Sequence, residues 1–166
     1  MMGIVEKDIE SLRWNEIAIK IAEESKDERS KRWLGSLYNN TAWTFHDMGK
    51  YDEALKLFER NVKWHEDRKS KKELIIAKWS VARALRSLNR VDEALKMQLV
   101  LIDELKQMGL EQDGYVFEEI GECMLLLKRD DESKPYFKSA YELLSKDIWM
   151  QENEKERLER LKKLSE

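Results

Sequence analysis

The chain has 166 residues, of which 39% are charged and 42% hydrophobic, and its formal net charge at pH 7 is −3. Because charges of both signs are interspersed and no basic run occurs, the composition argues against nucleic acid as a partner. Only six glycines and one proline are present, which leaves few turn residues for a sheet protein. The composition therefore predicts an all-α fold.

The sequence carries no sign of export or membrane insertion. The first ten residues, MMGIVEKDIE, are acidic where a signal peptide needs a basic start and a long apolar run. The longest apolar runs, such as Leu99 to Ile102, are too short to cross a bilayer. Cys123 is the only cysteine, which excludes an internal disulfide and favours a reducing compartment. We therefore expect a cytoplasmic protein without membrane contact.

Helical periodicity runs along almost the whole chain and predicts eight helices with short connections. In chain order, we expect them at about 5–25, 27–48, 52–68, 70–89, 92–108, 113–128, 131–145 and 147–166. The apolar stripe of the first helix starts at Ile9. Asp52, Asp92 and Asp131 stand where three of the helices begin, and we expect their side chains to accept hydrogen bonds from free backbone amides there.

Three similar stretches, KYDEAL, RVDEAL and RDDESK, begin at Lys50, Arg90 and Arg129, at spacings of 40 and 39 residues. When they are aligned, small residues recur at two positions of each unit: Ala42 and Ala54, Ala82 and Ala94, Gly121 and Ser133. Small residues at both positions allow two antiparallel helices to approach closely. The repeated unit is therefore a helical hairpin, and such hairpins must stack to bury their apolar faces.

The segment AWTFHDMGKYDEALKLF, Ala42 to Phe58, resembles the core of a tetratricopeptide repeat. The resemblance rests on six residues: Ala42, Phe45, Gly49, Tyr51, Ala54 and Phe58. The second and third units keep the small residues but place Asn89 and Lys128 where the first has its turn glycine. The spacing exceeds the family's usual length of about 34 residues. It is therefore more similar to the longer variant in kinesin light chains and some bacterial peptide-sensing regulators.

The resemblance implies a right-handed superhelix, an α-solenoid of stacked antiparallel hairpins, in a single domain over residues 1–166. Its parts would be a half repeat at 5–25, three repeats at 27–68, 70–108 and 113–145, and a capping helix at 147–166.

In this family the first helix of each hairpin lines a concave groove that holds extended peptides. The resemblance places these residues in the groove: Asn39, Trp43, His46, Trp79, Arg83, Arg86, Glu118, Glu122 and Leu125. A clamp for a terminal carboxylate is rejected, because Trp79 and the two glutamates stand where the clamp needs other residue types. We expect instead a mixed peptide with tryptophan anchors, since tryptophan and arginine are enriched in binding hot spots.

Two alternatives remain open at these positions. Arg83 and Arg86 either contact a ligand or pair with Glu118 and Glu122 on the neighbouring helix. Trp43 and Trp79 belong either to the groove or to the core. The remaining tryptophans, Trp14, Trp33, Trp64 and Trp149, are expected to be packing residues or to lie at hairpin ends. Cys123 is expected to be a buried, inert thiol.

No pattern of catalytic residues is recognisable. His46 and His65 lie far apart in sequence without the spacing of metal ligands, and no glycine-rich phosphate loop occurs. The sequence therefore predicts no enzyme activity, metal or cofactor.

The leading hypothesis is a non-catalytic interaction module that binds a peptide or protein segment as an adaptor, scaffold or regulator. Two alternatives are a unit that self-associates through its first helix and a fragment of a peptide-sensing regulator.

Overall fold

The computed structural model describes the backbone of residues 2–166 and the side chains of residues 10–166, so the side chain of Ile9 lies outside the described residues. Ten helices are the regular elements of this part of the chain. They are α1 (Met2–Glu24), α2 (Glu28–Lys31), α3 (Leu34–Asp47), α4 (Tyr51–Arg68), α5 (Lys71–Ser87), α6 (Val91–Gln107), α7 (Gly114–Leu126), α8 (Asp130–Leu144), α9 (Ile148–Asn153) and α10 (Lys155–Leu164). The expected all-α fold class is confirmed.

Two of the predicted helices are each divided in the structure. Arg32 and Trp33 separate α2 from α3, and Glu154 separates α9 from α10. Neither break contains glycine or proline, so the residue types that mark helix ends in a sequence are missing. The remaining boundaries lie within a few residues of the predicted ones.

The predicted capping role of Asp52, Asp92 and Asp131 is wrong. Their helices begin one residue earlier, so all three aspartates lie in the first helical turn, where negative charge still favours the helix dipole. The N-cap positions are occupied by Lys50, Arg90 and Arg129, which make no side-chain capping hydrogen bond.

Aspartate side chains cap three other helices. Asp27 accepts from the backbone N–H of Arg29, and Asp113 accepts from that of Tyr115. Asp147 caps α9 through the N–H groups of its first residues. In each case the aspartate has an extended backbone before the helix begins, which is the usual geometry of a capping residue.

The three hairpin turns have the same backbone geometry although their sequences differ. Gly49, Asn89 and Lys128 are all left-handed, with φ values of 75°, 60° and 60°. The next residue donates its backbone N–H to a carbonyl five residues back over 2.9 Å in each turn: Lys50 to Phe45, Arg90 to Leu85 and Arg129 to Met124. The turn is therefore a repeated structural element that glycine suits best and that asparagine and lysine also adopt.

The chain divides into two compact units, residues 1–84 and 85–166. In the first unit, α3 packs on both α1 and α4. The apolar cluster that joins them contains Ile19 and Ala22 of α1 with Leu34 and Tyr38 of α3. The Tyr38 hydroxyl donates a 2.7 Å hydrogen bond to Glu23, which anchors the end of α1 on α3.

In the second unit, α7 packs on α6 and α8, and α10 packs on α8. Its core contains Phe137, Ala140, Leu144, Met150, Leu158 and Leu161. A Cβ atom added to Gly121 would lie 2.7 Å from Cζ of Phe137, so this close approach leaves no room for a side chain.

The predicted hairpin register is confirmed by burial. Ser133 is almost fully buried. The four alanines of the small-residue pattern are fully buried: Ala42, Ala54, Ala82 and Ala94. Across the described residues, no helix is long and apolar enough to cross a membrane.

Candidate functional site

Three of the predicted groove residues lie on one face of α3. Asn39, Trp43 and His46 follow one another at spacings of four and three residues, which aligns them along the helix. All three are half-buried. The rings of Trp43 and His46 meet edge to face with their centroids 5.1 Å apart. This face therefore combines a large apolar ring with polar groups.

Trp43 also connects α3 to α4 and α5 within the first unit. Its ring lies 5.0 Å from that of Phe58, which is fully buried, and 5.8 Å from that of Trp79. Both tryptophans are half-buried. The choice between groove and core is thus not exclusive, because each ring packs on a neighbour and keeps part of its surface accessible.

Two polar side chains, Asn39 and Arg83, lie one helical turn from the two tryptophans. The Oδ1 atom of Asn39 is buried and accepts no hydrogen bond from the described residues, whereas its Nδ2 donates to Asn40 over 3.4 Å. Arg83 lies one turn beyond Trp79 on α5 and is half-buried. An unsatisfied acceptor, two aromatic rings and a guanidinium are therefore present in the first unit.

The predicted charged residues of the second unit are paired inside the protein. Arg86 donates through Nε and Nη2 to both carboxylate oxygens of Glu119, over 2.7 and 2.9 Å. Burial opposes the charge of this guanidinium, but the hydrogen bonds and charge of Glu119 hold the pKa of Arg86 above its usual value. Arg86 therefore does pair with the neighbouring helix, through Glu119.

Glu118 and Glu122 receive their arginines from the last helix. Arg157 donates to the two oxygens of Glu118 over 2.9 and 2.6 Å, and Arg160 binds both oxygens of Glu122. The hydrogen bonds to Glu118, together with the charge of that carboxylate, raise the pKa of Arg157 although burial opposes the rise. Three bidentate arginine–glutamate ion pairs thus join α7 to its neighbouring helices. The charges of these pairs compensate each other without a ligand.

Sequence reasoning missed Glu119, Arg157 and Arg160. Arg157 and Arg160 stand three residues apart on the predicted last helix, which matches the spacing of four between Glu118 and Glu122 closely enough for two helices to pair side by side. This match was the available signal. Because the last helix was interpreted only as a capping helix, this match of spacings was not used.

The other tryptophans have mixed positions. Trp64 packs against the cluster of the first unit, and the Arg68 guanidinium lies 3.2 Å from its ring centroid. Trp14, Trp33 and Trp149 are largely exposed, so of the two expected roles, packing or a position at a hairpin end, packing does not apply to them. Trp33 and Trp149 instead stand where α3 and α9 begin. The expected burial of Cys123 is confirmed.

No metal-binding cluster of three or more histidine, cysteine, aspartate or glutamate side chains occurs among the residues that the structure describes. Burial lowers the pKa of His65, which favours its neutral form. This histidine lies against Gly35 at the junction of α3 and α4, where it fills space between helices.

Comparison with known proteins identifies the repeat. Residues 34–66, which cover α3 and most of α4, match the tetratricopeptide repeat family. This hairpin is similar to a tetratricopeptide repeat. The resemblance drawn from Ala42 to Phe58 is therefore confirmed. No curated protein sequence matches the chain.

Solved structures share the fold, among them one described as having repeats like the tetratricopeptide repeat (TPR). BtubC (BKLC) from P. vanneervenii superposes with a TM-score of 0.68 at 15% identity, over 85% of this chain and 57% of that protein. The apo form of RapI superposes with a TM-score of 0.71 at 17% identity, over 87% of this chain and 53% of RapI. A kinesin light chain from P. anserina with nearly identical TPR-like repeats gives 0.64 at 13% identity, over 96% and 86%.

These likenesses establish the fold, and the predicted α-solenoid class is confirmed. The chain spans only slightly more than half the length of BtubC and RapI.

Proposed function

We propose that the protein is a non-catalytic interaction module that binds a peptide or protein segment. The TPR fold commonly mediates protein–protein interaction, and its stacked hairpins supply long exposed surfaces for this purpose. The module would act as an adaptor, a scaffold or part of a regulator. We also propose a cytoplasmic location, which is consistent with the single, buried cysteine.

The observation that carries the proposal is the pair of half-buried rings of Trp43 and Trp79 in the first unit, 5.8 Å apart. Rings that are already held by packing lose little conformational freedom on binding, which makes them good anchors for an apolar side chain. The open acceptor of Asn39 suits a backbone N–H of an extended ligand. Arg83 would select an acidic residue near the anchor.

The predicted residues of the second unit have a smaller part in this proposal. Arg86, Glu118 and Glu122 already have charged partners, so a ligand gains little by replacing one ion pair with another. We propose that they contact a ligand without supplying most of its affinity, and that the face formed by α3 and α5 supplies the specificity.

The proposal can be tested by selecting peptides from a phage-displayed random library on the wild-type protein. We expect enrichment of peptides that join an aromatic or large aliphatic residue to an acidic one. The selected peptides should bind the Arg83→Glu variant at least about tenfold more weakly, because a like charge would then meet the acidic residue. Equal affinity for this variant would contradict the assigned site.

A matched control comes from the exposed tryptophans. Trp149→Leu removes a ring outside the proposed site and should leave peptide binding unchanged, whereas Trp43→Leu should weaken it. Because Trp43 also packs on Phe58, circular dichroism must show that this variant is folded. If the Trp43→Leu variant is not folded, peptide binding to Asn39→Ala, which removes little packing, provides a second test of the site.

A further inference from the structure

The outer face of α1 carries an exposed apolar stripe that the proposed peptide site does not use. Trp14, Ile17 and Ile21 are 63%, 41% and 63% exposed, and their spacing of three and four residues places them along one side of the helix. On the inner face of the same helix Leu12, Ile19 and Ala22 are buried, and Ile19 and Ala22 pack on α3. The described part of α1 is therefore apolar on two sides.

The last helix differs from α1 in this respect. The outer face of α10 is charged and exposed, with Lys155, Glu156, Glu159, Lys162 and Lys163. A polar face of this kind is stable in contact with water. A charged helix is also a poor partner for the stripe on α1. A head-to-tail contact between copies, which would bring these two helices together, is therefore unfavourable.

We propose that α1 packs antiparallel on α1 of a second copy of this chain, about a two-fold axis close to Ile17. In that arrangement Trp14 packs on Ile21 of the second copy. Ile17 packs on Ala18, a small and half-buried residue that allows close approach. Since the axis is two-fold, each of these contacts occurs twice.

The charges beside the stripe favour this direction. Arg13, Glu16, Lys20 and Glu24 are exposed, and none forms an ion pair with another described residue. In the antiparallel pair, Arg13 lies within one turn of Glu24 of the second copy, and Lys20 lies beside Glu16. In a parallel pair each charged residue would face the same residue of the second copy, and like charges repel. Charge complementarity thus selects a second, antiparallel copy as the partner.

The size of the stripe limits the strength of the contact. A stable interface buries about 800 Å² on each partner, and one tryptophan with two isoleucines supplies less than this. We therefore expect a reversible dimer with a dissociation constant in about the micromolar range or weaker.

Sedimentation velocity of the full chain over a series of concentrations tests the proposal. The wild type should change from monomer to dimer as its concentration rises. Ile17→Glu should weaken the dimer about tenfold or more, since two carboxylates would be buried at the axis. Ile148→Glu, which alters a more exposed isoleucine of the second unit, is the control and should not change the dissociation constant.

Three outcomes would overturn the dimer. They are a wild type that stays monomeric throughout, an unchanged dissociation constant in the Ile17→Glu variant, and unlimited growth into larger assemblies.

Disulfide trapping tests the direction of the helices. Near the axis, two copies of Ile17→Cys come close enough to cross-link, because a disulfide needs a Cα–Cα distance below about 7 Å. Two copies of Trp14→Cys would be displaced along the axis by roughly 10 Å and should not cross-link. The buried Cys123 should not interfere. Efficient cross-linking of Trp14→Cys would indicate a parallel pair and contradict the proposal.

Discussion

The three left-handed turn residues differ in the strain that they carry. Glycine adopts a positive φ without cost, asparagine tolerates it, and lysine is the least suited of the three. We expect Lys128→Gly to raise the free energy of unfolding by up to about 1 kcal/mol and Asn89→Gly to raise it by less. Urea denaturation of the two variants checks this order. A destabilised Lys128→Gly variant would mean that the Lys128 side chain makes a stabilising contact.

Gly121 carries the opposite kind of constraint. Glycine within a helix normally costs about 1 kcal/mol relative to alanine, so Gly121→Ala would be stabilising in an open helix. Here the added methyl group meets the ring of Phe137, and overpacking costs about 1–3 kcal/mol. We expect a net loss of stability in thermal unfolding. Combining Gly121→Ala with Phe137→Leu should give a smaller loss than the two separate losses added together, and simple additivity would contradict direct contact.

At the scale of single residues, features that recur between the repeat units were predictable from the sequence, whereas features that occur only once were missed. Ala54 is matched by a small residue in each later unit, and Phe58 is matched by Phe137 in the third unit, so their burial was predictable. The exposure of Trp14 was not, because its large apolar ring favours burial in general and its helix face is not fixed by the repeat. The partners of Glu118 and Glu122 required knowledge of which helices are neighbours.

At the scale of helices, the attachment of α10 depends on apolar packing and on two ion pairs. The side chains of Glu118 and Glu122 are 8% and 16% exposed, and those of their partners Arg157 and Arg160 are 34% and 49% exposed. We expect Arg157→Ala to cost about 1–3 kcal/mol, because it leaves a buried carboxylate without its partner. Arg160→Ala should cost less than about 1 kcal/mol. Chemical denaturation of both variants measures the difference, and equal costs would contradict the assigned role of burial.

Helix ends were predictable where chemistry marks them. The hairpin turns at Gly49 and Asn89 follow from residues that accept a left-handed backbone. The interruption at Arg32 and Trp33 has no such marker and was missed. The recurrent aspartates were assigned to the correct helices, but each lies two residues after the N-cap position, which a lysine or arginine occupies.

For the whole molecule, internal repetition was the most informative property of the sequence. It predicted stacked helical hairpins of TPR type, which the family match over residues 34–66 and the solved relatives confirm. Repeats determine a scaffold because each unit packs on its neighbour in the same way. They do not determine a ligand, since groove positions vary freely within a fixed scaffold. The nine groove residues therefore remain predictions.

The central claim is that the α3–α5 face of the first unit recognises a partner. Isothermal titration of one library-selected peptide into the wild type, Asn39→Ala, Arg83→Glu and Trp149→Leu tests it most directly. We expect saturable binding to the wild type and to Trp149→Leu, with at least about tenfold weaker binding to Arg83→Glu and a smaller loss for Asn39→Ala. Indistinguishable affinities for all four folded proteins would contradict the claim and place the interaction surface elsewhere on the molecule.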